Sequence, residues 1–224
     1  MDTPFNLYYN RICAKTPRGN CVPTNTYFNL PPEKRERIFA AAINEFAQRN
    51  IQSASLSNIV AEAGIARGSI YQYFRDKEDI YIYVFETLRA RRAEYVESAF
   101  ALYKKEPFLV FFEAFYIRDS EFLLNHPLHI EMGKHLYGHA HGVSRKLIQK
   151  IQSRYREIFL IGIAYDIERG YMRPDINCGI LADLCVHLVT DIFIFQSLNN
   201  SLTMENIREH ATGTMHIIRN GVAP

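Results

Sequence analysis

The side chains best suited to contacts with another molecule lie between residues 55 and 77, where polar, basic and aromatic types are interspersed with apolar ones. Arg67 carries a guanidinium group, which can donate two hydrogen bonds to O6 and N7 of guanine. Gly68 would let a backbone approach DNA closely. The hydroxyls of Tyr71 and Tyr73 and the ammonium of Lys77 suit phosphate oxygens, which fix register without reading sequence. The predicted DNA-binding residues are Ser55, Ser57, Arg67, Gly68, Ser69, Tyr71, Gln72, Tyr73 and Lys77.

These side chains can act together only if short helices hold them in a fixed arrangement. Ser55 is a suitable N-cap for one short helix. Gly64 is suited to end it, because a sharp turn between helices favours a residue that accepts positive φ. Ile65 is expected to plug the turn, and a further short helix carries residues 69–74. The apolar positions of the first short helix are Leu56, Ile59, Val60 and Ala63.

A longer helix is predicted before them, over Glu33–Arg49, directly after the pair Pro31-Pro32. Its apolar stripe at helical spacing comprises Ile38, Phe39, Ala42, Ile43 and Phe46. The charged residues Lys34, Arg35, Arg37 and Glu45 are expected elsewhere on its surface.

A short helix, a glycine-containing turn and a second short helix with a polar outer face form a helix-turn-helix. In that motif the second helix lies in the major groove while the first crosses the DNA backbone. The outer face predicted here comprises Arg67, Gly68, Ser69, Gln72 and Tyr73. A hairpin of two helices with a glycine turn is also common in helical proteins, and the pattern by itself leaves that alternative open.

Residues 33–80 resemble the DNA-binding domain of the tetracycline-repressor (TetR) family of bacterial transcription regulators. The resemblance is carried by Ile38-x3-Ala42-x3-Phe46-Ala47 and by Leu56-x2-Ile59-x3-Ala63-Gly64-Ile65. Its most specific part is the stretch GSIYQYFRDKEDI. The resemblance implies a recognition helix at about 66–73, with Tyr71 and Lys77 as phosphate contacts.

The resemblance also implies a plan for the whole chain. We predict an irregular arm over 1–30, a helix-turn-helix DNA-binding domain over 31–77, and a helical ligand-binding and dimerisation domain over 78–224. The protein would bind double-stranded operator DNA as a homodimer. It would act as a regulator, usually a repressor in this family, that is released by a small effector.

The arm is longer than in many members of the family. It contains three prolines and no sustained periodicity. Its basic and aromatic residues could reach a neighbouring minor groove, and a disordered or docked tail is the alternative. These residues are Tyr8, Tyr9, Arg11, Lys15 and Arg18.

Bulk properties narrow the class of protein without identifying it. Hydrophobic residues make up 48% and charged residues 22%, as in ordinary globular proteins. No apolar run reaches the roughly 18 residues of a membrane span, and the first 25 residues lack the apolar core of a secretory signal. A cytoplasmic location is therefore expected, with Cys13, Cys21, Cys178 and Cys185 as reduced thiols. The net charge of +2 gives no indication of nucleic acid by itself.

The C-terminal part reads as helix throughout, so the predicted fold class is all-α. Asp76 is expected to cap a long fourth helix from about Lys77 to Lys104. Further helices are predicted near 108–125, 128–138, 144–169, 177–199 and 203–220. Segment 177–199 is apolar on more than one face. With 203–220 it suits the four-helix bundle through which the resembled family dimerises, and packing inside one monomer is the alternative.

An aromatic-rich segment at 108–124 suggests where an effector binds. In the resembled family the helix after the long fourth one lines the ligand cavity, and an aromatic wall predicts a largely apolar ligand of unknown identity. The candidate ligand-binding residues are Phe111, Phe115, Tyr116, Tyr137, Tyr155 and Tyr165. The same aromatic spacing is equally consistent with a plain core.

Other classes of site find less support. Five histidines cluster over 126–141, and His135 and His139 lie one helical turn apart, but no HExxH motif or cysteine partner accompanies them. Solvated histidines are expected instead, with no metal and no cofactor. Because GxSxG, P-loop and dinucleotide fingerprints are missing from the sequence, we do not expect an enzyme. A helical scaffold without DNA activity is the remaining alternative.

Overall fold

The computed structural model describes residues 23–190 and 203–222, and the regular elements within these ranges are helical. The all-α prediction is thereby confirmed. The helices are α1 (Asn25–Phe28), α2 (Pro32–Gln48), α3 (Leu56–Ala63), α4 (Ile70–Tyr73), α5 (Lys77–Tyr95), α6 (Glu97–Phe100), α7 (Phe108–Asn125), α8 (Pro127–Gly138), α9 (Gly142–Glu168), α10 (Cys178–Thr190) and α11 (Met204–Val222). A 3-10 turn, Arg67–Ser69, precedes α4. None of the helices described is long and apolar enough to cross a membrane.

Backbone contacts divide the described chain into two compact units. The first contains the residues up to 94 together with 131–144, and the second contains 95–130 together with the residues from 145 onward. The division into 1–30, 31–77 and 78–224 stays a prediction.

The predicted irregular arm needs a correction at its C-terminal end. Residues 25–28 form the single helical turn α1, and Tyr27 within it is fully buried. A turn that buries an aromatic ring is stabilised by tertiary packing, which leaves no periodic signal in so short a segment. The basic and aromatic residues of the arm, from Tyr8 to Arg18, lie outside the described residues.

The apolar stripe of α2 faces the core as predicted. Ile38, Ala42 and Phe46 are fully buried, and Phe39 and Ile43 are buried beside them. Glu45, which the pattern places outside the apolar stripe, is nevertheless only 4% exposed. Burial of this charged group is possible because the Glu45 carboxylate accepts hydrogen bonds from the start of α3, which replace those it would make with water.

The long helix that the sequence predicts from about Lys77 is α5, and it is shorter than predicted. Asp76 caps it as expected, since its Oδ1 accepts the Asp79 N–H at 2.9 Å, but α5 ends at Tyr95 instead of continuing to Lys104. Val96 leaves helical geometry at φ −88° and ψ 3°. The turn lets the ring of Phe100 pack 5.4 Å from the ring of Phe111 on α7. Aromatic packing across this bend therefore outweighs the helix propensity of the segment.

The second unit is built around an aromatic core on α7. The rings of Phe111, Phe112 and Phe115 are fully buried, and Phe159 of α9 is buried against them. The centroids of Phe112 and Phe159 are 5.2 Å apart in an edge-to-face arrangement. Rings in this geometry are stabilised by about 0.5–1.5 kcal/mol beyond their burial.

A buried carboxylate holds the start of α7. The Oδ2 atom of Asp166 accepts the backbone N–H of Phe108 at 2.6 Å, which satisfies one of the donors left free at the helix N-terminus. Burial raises the pKa of Asp166 above its ordinary value, and the hydrogen bond from Phe108 opposes that rise only in part.

The sign of this shift predicts a pH dependence. Because the pKa is higher in the folded chain, Asp166 contributes most stability in acid, and that contribution falls as the pH rises above about 3.9. Asp166→Asn keeps an acceptor oxygen without the charge, so we expect its stability relative to the parent to improve between pH 4 and pH 7. Urea denaturation followed by circular dichroism at both pH values measures this. An equal change with pH in the two proteins would contradict it.

Candidate nucleic-acid interface

The turn between α3 and α4 has the geometry that the sequence predicts. Gly64 ends α3 in the left-handed region at φ 63° and ψ 41°. The N–H of Ile65 then donates to the carbonyl of Val60 at 3.2 Å, which satisfies one of the last carbonyls of the helix. Ile65 itself is half-buried, as expected of a residue that fills the turn.

The segment after this turn has one polar outer face. Arg67, Gly68 and Gln72 are exposed, and Tyr71 is 58% exposed. Ser69 is half-buried at the end of the 3-10 turn. The structure therefore brings together most of the side chains that the sequence assigns to the outer face.

The inner face of the same segment is apolar, and it includes one residue that was predicted to be exposed. Ile70 and Phe74 are almost fully buried, and Tyr73 is only 3% exposed. Tyr73 lies three residues after Ile70, so both side chains point to the same side of the helical turn. Its ring lies 6.1 Å from the ring of Tyr27. The prediction of an exposed Tyr73 is therefore wrong.

The start of α3 is held by a side chain from α2. Ser55 occupies the N-cap position as predicted, but its side chain makes no capping hydrogen bond. The Oε1 atom of Glu45 instead accepts the backbone N–H of Ser55 at 2.8 Å, and its Oε2 accepts the side-chain amide of Asn58 at 3.1 Å. A carboxylate at this position also suits the positive end of the helix dipole. Ser57 is exposed on the first turn of α3.

Two further contacts fix α3 against α2. The Nε atom of Arg37 donates to the carbonyl of Ala63 at 3.4 Å, and the amide of Asn44 donates to Glu62 at 2.6 Å. Sequence reasoning missed these residues and Glu45, because a polar or charged residue within an amphipathic helix is ordinarily interpreted as solvent-facing.

Lys77 stabilises the loop before α3, in addition to any contact that it makes with DNA. Its ammonium donates to the carbonyls of Gln52 at 2.9 Å and Ala54 at 2.8 Å, and so closes the loop before α3. An ammonium has three donors, which leaves one N–H for an external acceptor. The phosphate contact of Lys77 stays a prediction.

The residues predicted to bind an effector fall into different environments. Phe111 and Phe115 are fully buried among other rings, and this packing favours the plain-core alternative for both. Tyr116 is also buried, and its hydroxyl lies 3.4 Å from Nδ1 of His210. Burial raises the pKa of Tyr116.

The remaining candidates keep partial exposure. Tyr155 and Tyr165 are half-buried in the second unit, where the ring of Tyr155 stacks 5.8 Å from that of Phe159. Two cationic groups lie over the ring of Tyr165. The Nζ atom of Lys104 is 5.6 Å from the ring centroid, and the Cζ atom of Arg169 is 5.3 Å from it. Tyr137 is half-buried and belongs to the first unit. Five of the six candidates therefore lie in the second unit and Tyr137 lies in the first, and their assignment to one ligand site stays a prediction.

Two open grooves of the second unit are lined by other residues. One lies between α7 and α11, has a volume of about 420 Å³, and is lined by Ala114, Ile117, Arg118, Glu121, Arg208 and Thr212. The other lies between α9 and α10, has a volume of about 250 Å³, and is lined by Gln149, Gln152, Ser153, Arg156, Asp183, Val186 and His187.

The described residues give little support for a metal site or for a reactive thiol. The rings of His135 and His139 are 6.2 Å apart. A group of three or more potential metal ligands is not found among the described residues. Cys178 and Cys185 are unpaired, and burial raises the pKa of Cys185 to about 12.

Comparison with known proteins matches this helix-turn-helix to one family. Residues 38–84 match the model for bacterial regulatory proteins of the tetR family. The HTH-type transcriptional regulator AcrR of Shigella flexneri is 39% identical over 54 residues, which are 24% of this chain and 25% of AcrR. The matched segment thus spans only about a quarter to a third of the curated relatives.

Solved structures extend the similarity of fold to most of the chain. A TetR-family transcriptional regulator from Chloroflexus aurantiacus has a TM-score of 0.63 at 21% identity, covering 91% of this chain and 99% of its own. FadR from Bacillus subtilis, in complex with stearoyl-CoA, has a TM-score of 0.69 at 17% identity, covering 83% and 98%. The predicted resemblance is confirmed where it was stated: the helix-turn-helix segment matches the tetR family model, and most of the chain shares the fold of solved TetR-family regulators.

Proposed function

We propose that this protein is a transcription regulator that binds operator DNA through the exposed face of residues 67–72. The observation that carries the proposal is the two-sided character of this segment. Arg67, Tyr71 and Gln72 face outward, while Ile70 and Phe74 are buried and fix the segment to the rest of the domain. A rigid inner face with a polar outer face is what major-groove recognition requires.

Gly68 supports contact with an external backbone. A Cβ atom added at Gly68 would meet no atom of the described chain within 4 Å, and its φ is not positive. Folding therefore does not require glycine at this position. Close approach of a DNA backbone at this position would explain why the residue is glycine.

Phosphate contacts would fix the register of this face. Tyr71 has the exposure that a phosphate contact needs, and Ser57 is exposed at the N-terminal end of α3, where backbone N–H groups favour anions. The hydroxyl of Ser55, released from capping by Glu45, and the third N–H of Lys77 complete the proposed set.

We propose a homodimer that uses the helices near 177–199 and 203–220. Ile180 is 68% exposed and Leu184, one turn later on α10, is also exposed. Ile217 of α11 is 73% exposed. Apolar side chains exposed at helical spacing support pairing with a second copy, and two linked recognition helices suit two half-sites. Residues 191–199 lie outside the described ranges.

The proposed regulator is a repressor that a largely apolar effector releases from its operator. The solved relative FadR holds stearoyl-CoA, which supports long-chain acyl compounds as a first class to test. Effector binding would lower operator affinity only as far as the effector prefers the conformation that does not bind DNA. Tyr155 and Tyr165 are the predicted contacts that keep partial exposure in the second unit.

A gel shift with DNA from the protein's own promoter region tests the DNA face. Arg67→Ala combined with Tyr71→Ala is expected to weaken specific binding by at least about 100-fold, because a dimer loses two base contacts worth about 1–3 kcal/mol each, together with two phosphate contacts. Gly68→Ala should weaken binding without loss of thermal stability. The matched control is Arg169→Ala with Tyr171→Ala, an exposed pair of the same residue types in the second unit.

Two results would contradict the proposal. One is equal operator affinity for the Arg67 and Arg169 double variants. The other is the failure of the parent protein to shift its promoter DNA specifically and to enrich any sequence from a random duplex pool. The second result favours a helical scaffold without DNA activity.

A further inference from the structure

The segment 23–30, which we call the strap, packs on the helix-turn-helix ahead of its first long helix. Pro23 and Tyr27 are buried, while Asn25 and Thr26 between them are exposed. The strap is separated from α4 by more than forty residues of sequence, so its contacts are tertiary.

Thr24 of the strap holds the C-terminal end of α4 by two hydrogen bonds. Its backbone N–H donates to the carbonyl of Tyr73 at 3.0 Å, and its Oγ1 donates to the carbonyl of Gln72 at 2.7 Å. The last four carbonyls of a helix lack partners within it, and α4 has only four residues. Thr24 therefore satisfies acceptors that the helix cannot satisfy by itself.

Tyr27 secures the same end through its ring and its hydroxyl. The ring centroid lies 5.1 Å from that of Phe74 and 5.2 Å from that of Tyr83 on α5. The hydroxyl lies 3.0 Å from the Tyr83 hydroxyl and donates to the carbonyl of Arg35 on α2 at 3.3 Å. A single buried side chain thus joins α2 and α5 to Phe74, the residue that directly follows α4.

We infer that the strap is a positioning element for the recognition helix, and that Thr24 and Tyr27 control the affinity for DNA without touching it. This inference rests on the proposed function. A helix of one turn is unstable in isolation, because nucleation fixes several residues for a single hydrogen bond. Tyr71 and Gln72, which carry part of the outer face, lie on that turn. If the turn is formed only part of the time, the apparent affinity for DNA falls by that fraction.

Hydrogen exchange in the full-length protein tests the inference without any DNA. Thr24→Val removes the hydroxyl donor to Gln72, and we expect the amides of residues 70–74 to exchange about five-fold faster, the effect of one ordinary hydrogen bond. Thr24→Ser restores the donor and should restore the protection. Thr26→Val is the matched control, because Thr26 is an exposed threonine of the same strap.

The gel shift with promoter-region DNA then connects the strap to function. Thr24→Val should lower the affinity by up to the same factor as the change in exchange, and Thr26→Val should leave it unchanged. Equal exchange at 70–74 in the two valine variants would overturn the inference. Altered exchange in a protein that binds no DNA, in parent or variant form, would instead overturn the proposed function and leave the strap's structural role standing.

Discussion

Replacing Phe115 by alanine is expected to lower the free energy of unfolding by about 3–5 kcal/mol, the usual cost of deleting a large buried ring. Phe115 is fully buried, and its ring centroid lies 5.9 Å from Phe111, 5.7 Å from Tyr155 and 6.0 Å from Phe159. The rings of α7 and α9 interlock, so the vacated space cannot close without moving several of them. Equilibrium urea denaturation followed by circular dichroism measures the loss.

A control on the same helix separates burial from helix propensity. Val110→Ala removes an exposed side chain of α7, and its effect is expected to stay within about 0.5 kcal/mol. If Phe115→Ala changed stability no more than Val110→Ala but altered binding of an acyl effector, Phe115 would line a cavity and the plain-core assignment would be wrong.

Glu45→Ala is expected to lower the free energy of unfolding by about 2–4 kcal/mol, because removal of one buried charged partner leaves the others without an acceptor. The carboxylate receives the Ser55 N–H and the Asn58 amide, and it also pairs with Arg49 at 2.8 Å. The loss should be accompanied by weaker DNA binding, since the start of α3 carries Ser55 and Ser57. Denaturation and the gel shift measure the two effects.

Two variants calibrate the Glu45 result. Glu45→Gln keeps one acceptor oxygen but turns an amide donor toward Arg49 or Asn58, so an intermediate loss is expected. Glu36→Ala on the same helix removes a carboxylate that is 61% exposed and pairs with Arg91, and exposed pairs contribute at most about 1 kcal/mol. Equal losses for Glu45→Ala and Glu36→Ala would show that burial of the Glu45 carboxylate has no structural importance.

The sequence predicted those features that local chemistry determines. The four-residue recurrence of Ile38, Ala42 and Phe46 predicted the buried face of α2, and the structure confirms it. Gly64 predicted the turn because positive φ is readily accepted by glycine. Both signals lie within a few residues of the feature that they determine.

Features that depend on distant contacts could not be predicted in the same way. No glycine or proline stands between Lys77 and Glu106 to mark the end of α5, and the bend at Val96 follows from packing in the second unit. Tyr73 lies on a turn too short for a hydrophobic period to be read. The burial of Tyr27 depends on partners as far away as Tyr83.

The attachment of Thr24 to the end of α4 also fixes the point at which the preceding segment joins the domain. Whatever precedes Pro23 is joined covalently to the domain next to the turn that carries Tyr71 and Gln72. A basic group attached at Pro23 would meet bound DNA as an intramolecular ligand, because covalent attachment replaces a bimolecular encounter by a local one. A phosphate contact too weak to detect in a free peptide could then raise the residence time of the whole protein on its operator.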